Sequence, residues 1–202
     1  MAASTENVGG RRGSRWRIAA WAAIVALVLM VPLVAMQFTD EVVWTLDDFI
    51  FAGVLLGSVG LTYELAARMT GNTAYRVAVG LALAAALLLV WVNGAVGIIG
   101  SEDNPANLLY GGVLAAGIIG AIIARFRPPG MARALLAMAL AQALVPVIAL
   151  IIWKPDVTSS VDAFLGTLGV LGVNAFFAML FVGSAWLFRK AARGRTPAGA
   201  AP

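Results

Sequence analysis

Six runs without a charged residue, Ile18 to Thr39, Phe49 to Tyr63, Val77 to Ser101, Asn104 to Ala124, Ala134 to Trp153 and Ala163 to Phe188, occupy 129 of the 202 residues. A bilayer core about 30 Å thick needs about 20 helical residues to cross. Five runs reach that length alone, and the second does so once extended through Glu64 to Ala67. The runs are continuous, whereas a transmembrane barrel alternates apolar and polar residues in segments of about ten. The predicted fold is therefore all-α: a polytopic membrane protein, a bundle of six transmembrane helices arranged as three hairpins. The helices are expected at about 16–38, 49–67, 77–100, 105–126, 132–153 and 163–188. They form one transmembrane domain over 15–190, and no remaining stretch is long enough for a soluble domain. Residues 1–14 and 191–202, small, polar or rich in Ala, Gly and Pro, are expected to be disordered cytoplasmic tails.

Charge gives the orientation. In chain order the basic residues fall on alternate connections: Arg11, Arg12, Arg15 and Arg17, then Arg68 and Arg76, then Arg125, Arg127 and Arg133, then Arg189, Lys190, Arg193 and Arg195. That side holds 13 of the 14 cations, while Lys154 alone accompanies Asp40, Glu41, Asp47, Asp48, Glu102, Asp103, Asp156 and Asp162 on the other. By the positive-inside rule both termini face the cytoplasm. Trp16, Trp186 and Tyr75 are expected at the inner headgroup level, and Trp44, Trp153 and Tyr110 at the outer one. The first run is too long for a signal-peptide core and no A-x-A site follows it, so it is read as a retained helix.

The chemistry available is narrow. With no Cys there is no thiolate or disulfide chemistry, and with no His there is no imidazole base and no common zinc site. Both lysines lie outside the apolar runs. No catalytic residue, cofactor or metal site is expected, and the net charge of +4 reads as topology rather than as a nucleic-acid footprint. The outer acids lack the DxDxDG spacing of a calcium loop.

Local motifs refine the frame. In Ser101-Glu102-Asp103-Asn104-Pro105, Asn104 suits a helix N-cap and Pro105 the first helical position, where a missing N–H costs nothing. A shift of 57 residues superposes Ala67-Arg68 on Ala124-Arg125, Gly60 on Gly117 and Arg76 on Arg133, a weak parallel repeat that Ala- and Leu-rich helices also produce by coincidence. The stretches VPLVAMQFTDEV (Val31 to Val42), WVNGAVGIIGSEDNPAN (Trp91 to Asn107) and IARFRPPGMARAL (Ile123 to Leu135) resemble those of uncharacterised small six-segment inner-membrane proteins of bacteria. The resemblance implies a topology and no activity.

Helices in lipid associate through small residues and interhelical hydrogen bonds. Gly53 and Gly57 in the second run, and Gly112, Ala116 and Gly120 in the fourth, keep GxxxG-type spacing, for packing within the chain or for a dimer. Glu64 is the one ionisable residue in a spanning segment, with Arg68 four residues on as the expected ion-pair partner. Asn93, Gln142 and Asn174 lie deeper, and Pro146 removes the N–H that would bond the carbonyl of Gln142. Glu64, Asn93, Gln142 and Asn174 are therefore the candidate intramembrane polar site, and Glu102 with Asp103 the candidate outer-face acidic motif. The expected function is that of a structural or accessory membrane protein and not an enzyme. Its expected partners are the lipid bilayer, itself or another membrane protein. The alternative is a small solute, ion or proton transporter or channel using the polar residues in the bundle, provided Gln142 and Asn174 line a cavity.

Overall fold

The computed structural model describes residues 6–101, 103–153 and 161–194, which are mostly helical and contain no strand. The helices are α1 (Glu6–Ala35), α2 (Leu46–Met69), α3 (Thr73–Val96), α4 (Leu109–Ile123), α5 (Pro128–Trp153) and α6 (Val161–Arg193), with α4 entered through a 3₁₀ turn, Pro105–Leu108. All six, α4 together with its 3₁₀ turn, are long and apolar enough to cross a membrane, so the chain is an all-α, multi-pass membrane protein.

Where the helix ends differ from expectation, local chemistry accounts for it. Residues 6–14 continue α1 instead of belonging to a disordered tail, although the membrane-length stretch still starts at Trp16. Propagating an existing helix costs far less than nucleating one, and no proline interrupts those residues. At its other end α1 stops at Ala35 in short-range bonds, Val34 and Ala35 accepting from the N–H of Gln37 and Phe38 at 2.9 Å. Helix α6 runs on to Arg193 through Ala191 and Ala192, strong helix formers, and Lys190 and Arg193 suit its negative end. Residues 191–193 are thus helical rather than tail. The remainder of both expected tails, residues 1–5 and 195–202, lies outside the described residues, as do Lys154 and Asp156.

The chain divides into two compact units between Glu64 and Leu65. In the first, Thr45 and Asp48 close a reciprocal cap on α2. The Thr45 N–H and hydroxyl both donate to Asp48 Oδ2 at 2.8 Å, and the Asp48 N–H reaches Thr45 Oγ1 at 3.4 Å. Trp44 and Phe49 meet edge to face at 5.1 Å across that cap, an aromatic version of the hydrophobic staple. Farther along α2, Gly60 lets the Trp21 ring of α1 approach to 3.0 Å of where a Cβ would stand, and Trp21 also leans on Tyr63.

In the second unit α5 packs against both α4 and α6, and α3 packs on α6, while the consecutive α3 and α4 touch little. The α4–α5 contact is close because glycines form it. A Cβ on Gly120 would stand 2.6 Å from that of Ala134, one on Gly130 equally near Ala124, and Gly117 is filled by Met138. Gly120, a residue of the expected dimer stripe, is thus occupied within the chain, whereas Gly112 and Gly57 meet no atom within 4 Å and Gly53 makes only an ordinary contact with Leu29.

One end of this unit is tied by aromatic and amide groups. Tyr75 donates its hydroxyl to the Phe126 carbonyl at 2.8 Å and stacks edge to face on Phe188, and Asn72, the N-cap of α3, reaches the Ala191 carbonyl. The start of α3, the α4–α5 turn and the end of α6 therefore gather together. Arg76, Arg125, Arg127, Arg133, Arg189, Lys190 and Arg193 all lie on those segments. The described basic residues of this unit are thus gathered at one end.

Candidate functional site

The deepest polar residues meet where α4, α5 and α6 converge. Gln142 lies mid-way along α5 and Asn174 along α6, each on the face turned inward, and both are at most 1% exposed. Gln142 Nε2 donates to Asn174 Oδ1 at 3.0 Å. Tyr110 of α4, 2% exposed, completes the cluster: its hydroxyl lies 3.2 Å from the same Oδ1 and accepts from Asn174 Nδ2 at 3.0 Å. Asn174 Nδ2 also donates to the Val170 carbonyl one turn back, at 2.8 Å. Asn174 is thus the hub, bonded to two other helices and to its own backbone. One atom stands outside this arrangement, because Gln142 Oε1 is buried with no hydrogen-bond partner among the described residues. Two carboxamides and a phenol carry no charge near neutral pH, so the cluster orients helices and offers one free acceptor rather than acid–base chemistry.

Tyr110 and Tyr75, expected at the headgroups, turn into the protein rather than outward. Both are buried, with their hydroxyls bonded inside the protein. A tyrosine near a helix end satisfies either placement, and only the helix's rotation distinguishes them.

Asn93 does not join this cluster. Asn93 sits at the far end of α3, where its Nδ2 donates to the Asn107 carbonyl at 3.4 Å and its Oδ1 is buried without a partner. Asn107, which sequence reasoning passed over, organises that end. Its Oδ1 accepts from Ile99 N–H at 3.0 Å, and its Nδ2 donates to the Ile99 and Ser101 carbonyls at 3.4 and 2.7 Å. One side chain thereby completes the backbone hydrogen bonds of a loop that turns on Gly97 and Gly100, both at positive φ, and buries Ile98 and Ile99. The available signal was an amide three residues after the Asn104 cap. That cap forms as expected, with Asn104 Oδ1 accepting from Ala106 N–H at 2.9 Å and Pro105 leading the turn.

Glu64 belongs to the first unit, where Arg17 of α1 donates to its Oε2 at 2.7 Å. Arg17 lies 47 residues away along the chain, a partner that local spacing, which points to Arg68, does not reveal. Glu64 is 4% exposed, whereas the Arg17 side chain is 46% exposed, which puts the open side of the pair at the cation. Of the outer-face acidic motif, Asp103 is exposed in its loop and Glu102 lies outside the described residues. No family model, curated protein or solved structure matches the chain.

Proposed function

We propose that this chain is a multi-pass protein of the bacterial inner membrane, with both termini in the cytoplasm, that works by association within the bilayer and not by catalysis. One observation carries the reading: the amides that would have to line a solute path are sealed and spent on one another, Gln142 on Asn174 and Asn174 on Tyr110 and Val170. Interhelical hydrogen bonds of this kind are each worth about 0.6 kcal/mol in a membrane and set which faces meet. Orientation is supported by the gathering of basic residues at one end of the second unit, which the positive-inside rule assigns to the cytoplasm.

The test replaces Gln142 with Met in the full chain. Proteoliposomes with and without the change should show equal solute, ion and proton flux. A flux carried by the original chain and lost in the variant would overturn the reading. Orientation is tested by fusing a reporter after Pro202 that is active only in the periplasm, and it should stay dark. A second reading, a small transporter or channel, is favoured by Gln142 Oε1, a buried acceptor with no partner among the described residues. The same flux measurement decides between the two.

A further inference from the structure

The basic end of the second unit contains no counter-charge of its own. From Leu65 to Ser101, from Asn104 to Trp153 and from Ala163 to Pro202 there is no Asp or Glu. Of the unit's acids, Asp103 lies exposed on the α3–α4 connection and Asp162 is the second residue of α6, while Glu102 and Asp156 lie outside the described residues. Several cations nevertheless have internal partners. Arg76 donates to the Ala67 and Thr70 carbonyls at 2.8 and 3.0 Å. Lys190 lies 5.7 Å from the centre of the Trp186 ring, and it and Arg193 occupy the last turn of α6, where the helix's own negative end offsets them.

Among the described residues, Arg125, Arg127 and Arg133 have no such compensation. All three are exposed, within nine residues, and Arg127 and Arg133 flank the start of α5, whose first turn holds no acid. The turn that presents them is held in one shape. Arg125 and Phe126 adopt left-handed φ values of 48° and 56°, the Tyr75 hydroxyl holds the Phe126 carbonyl, and Gly130 packs against Ala124. Immediately along α4 from the arginines, Ile122 and Ile123 are 63% and 78% exposed, and Phe126 is also exposed. Concentrated positive charge beside exposed apolar side chains, at the end of a membrane-length helix, matches a ligand with an anionic head and hydrocarbon tails. A free phosphate ion would leave the apolar part unused.

We propose that the α4–α5 turn is a binding site for an anionic phospholipid, with Arg125, Arg127 and Arg133 engaging the phosphate and Ile122, Ile123 and Phe126 lying along the acyl chains. The inference goes beyond the proposed function and requires only that the chain spans a membrane.

The experiment is native mass spectrometry of the detergent-solubilised full chain, titrated separately with phosphatidylglycerol, phosphatidylcholine and inorganic phosphate. Phosphatidylglycerol should bind in preference, and inorganic phosphate should not displace it. Arg125→Asn, Arg127→Gln and Arg133→Gln together should weaken phosphatidylglycerol binding on the order of 100-fold, at about 5-fold per charge. Asparagine is chosen at position 125 because it tolerates positive φ. The control removes three charges from the same end through Arg189→Gln, Lys190→Gln and Arg193→Gln, and should cost less than about 5-fold. Should the triple variant lose its helical circular dichroism, Arg127→Gln with Arg133→Gln leaves the left-handed pair intact and should still cost about 25-fold. Equal loss in both triple variants would reduce the site to a diffuse basic field and overturn the proposal. Equal binding of phosphatidylcholine, or displacement of the lipid by inorganic phosphate, would overturn it as well.

Discussion

Asn174 and Gln142 share a hydrogen bond but do not stand to lose equally from substitution. Asn174→Leu deprives Gln142 Nε2 and the Tyr110 hydroxyl of the oxygen that receives both, whereas the Val170 carbonyl keeps its helical donor. Two buried donors left unpaired cost about 1 to 3 kcal/mol each. In a bilayer the unfolded reference finds substitute partners, which holds the value toward the low end, so we expect about 2 kcal/mol. Gln142→Met removes one donor together with the one acceptor that already lacks a partner, and Asn174 Oδ1 keeps Tyr110. Methionine fills a similar volume, so the expected change is within about 0.5 kcal/mol in either direction. Both variants should be unfolded reversibly in the same mixed micelles by increasing sodium dodecyl sulfate, with helical circular dichroism as the readout. If Gln142→Met costs as much as Asn174→Leu, Asn174 is not the hub and the assignment of the unpaired oxygen fails.

Three further outcomes follow from the packing. Gly120→Leu should destabilise the second unit by about 1 to 3 kcal/mol or more by forcing α4 from α5, whereas Gly112→Leu, which meets no atom, should leave monomer unfolding unchanged and dissociate any dimer built on that face in cross-linking. Asn107→Leu strands the Ile99 N–H and removes donors from the Ile99 and Ser101 carbonyls, so amide hydrogen exchange should accelerate across residues 97–101 with a global cost of about 2 kcal/mol. A double-mutant cycle on Arg17→Gln and Glu64→Gln should return a coupling below about 1 kcal/mol by the same unfolding assay, because solvent screens the half-exposed guanidinium.

The repeat of 57 residues illustrates the limit of sequence pattern. It aligns Gly60 with Gly117, and both are points of close approach, yet a tryptophan of α1 fills one and a methionine of α5 the other. The match therefore located two small-residue contacts without indicating what fills them. Asn104 and Pro105 were legible because a cap acts within three residues along the chain. Glu64 was recognised as a residue needing a partner, but Arg17, 47 positions away on another helix, was beyond the reach of local spacing. The inward turn of Tyr110 was not legible because burial at a helix end leaves no local signature.

Helix number, alternation of charge and the residues requiring polar partners were determined by sequence alone, since the cost of placing charge in hydrocarbon acts on each segment separately. Which helices touch, and through which faces, was decided only in three dimensions. Successive residues point about 100° apart around a helix, and lipid tails are as apolar as leucine, so hydrophobicity cannot say which side of a uniformly apolar helix faces protein. That choice falls to a few glycines and amides, and Gly120 against Ala134 with Asn174 between Tyr110 and Gln142 makes it for α4, α5 and α6.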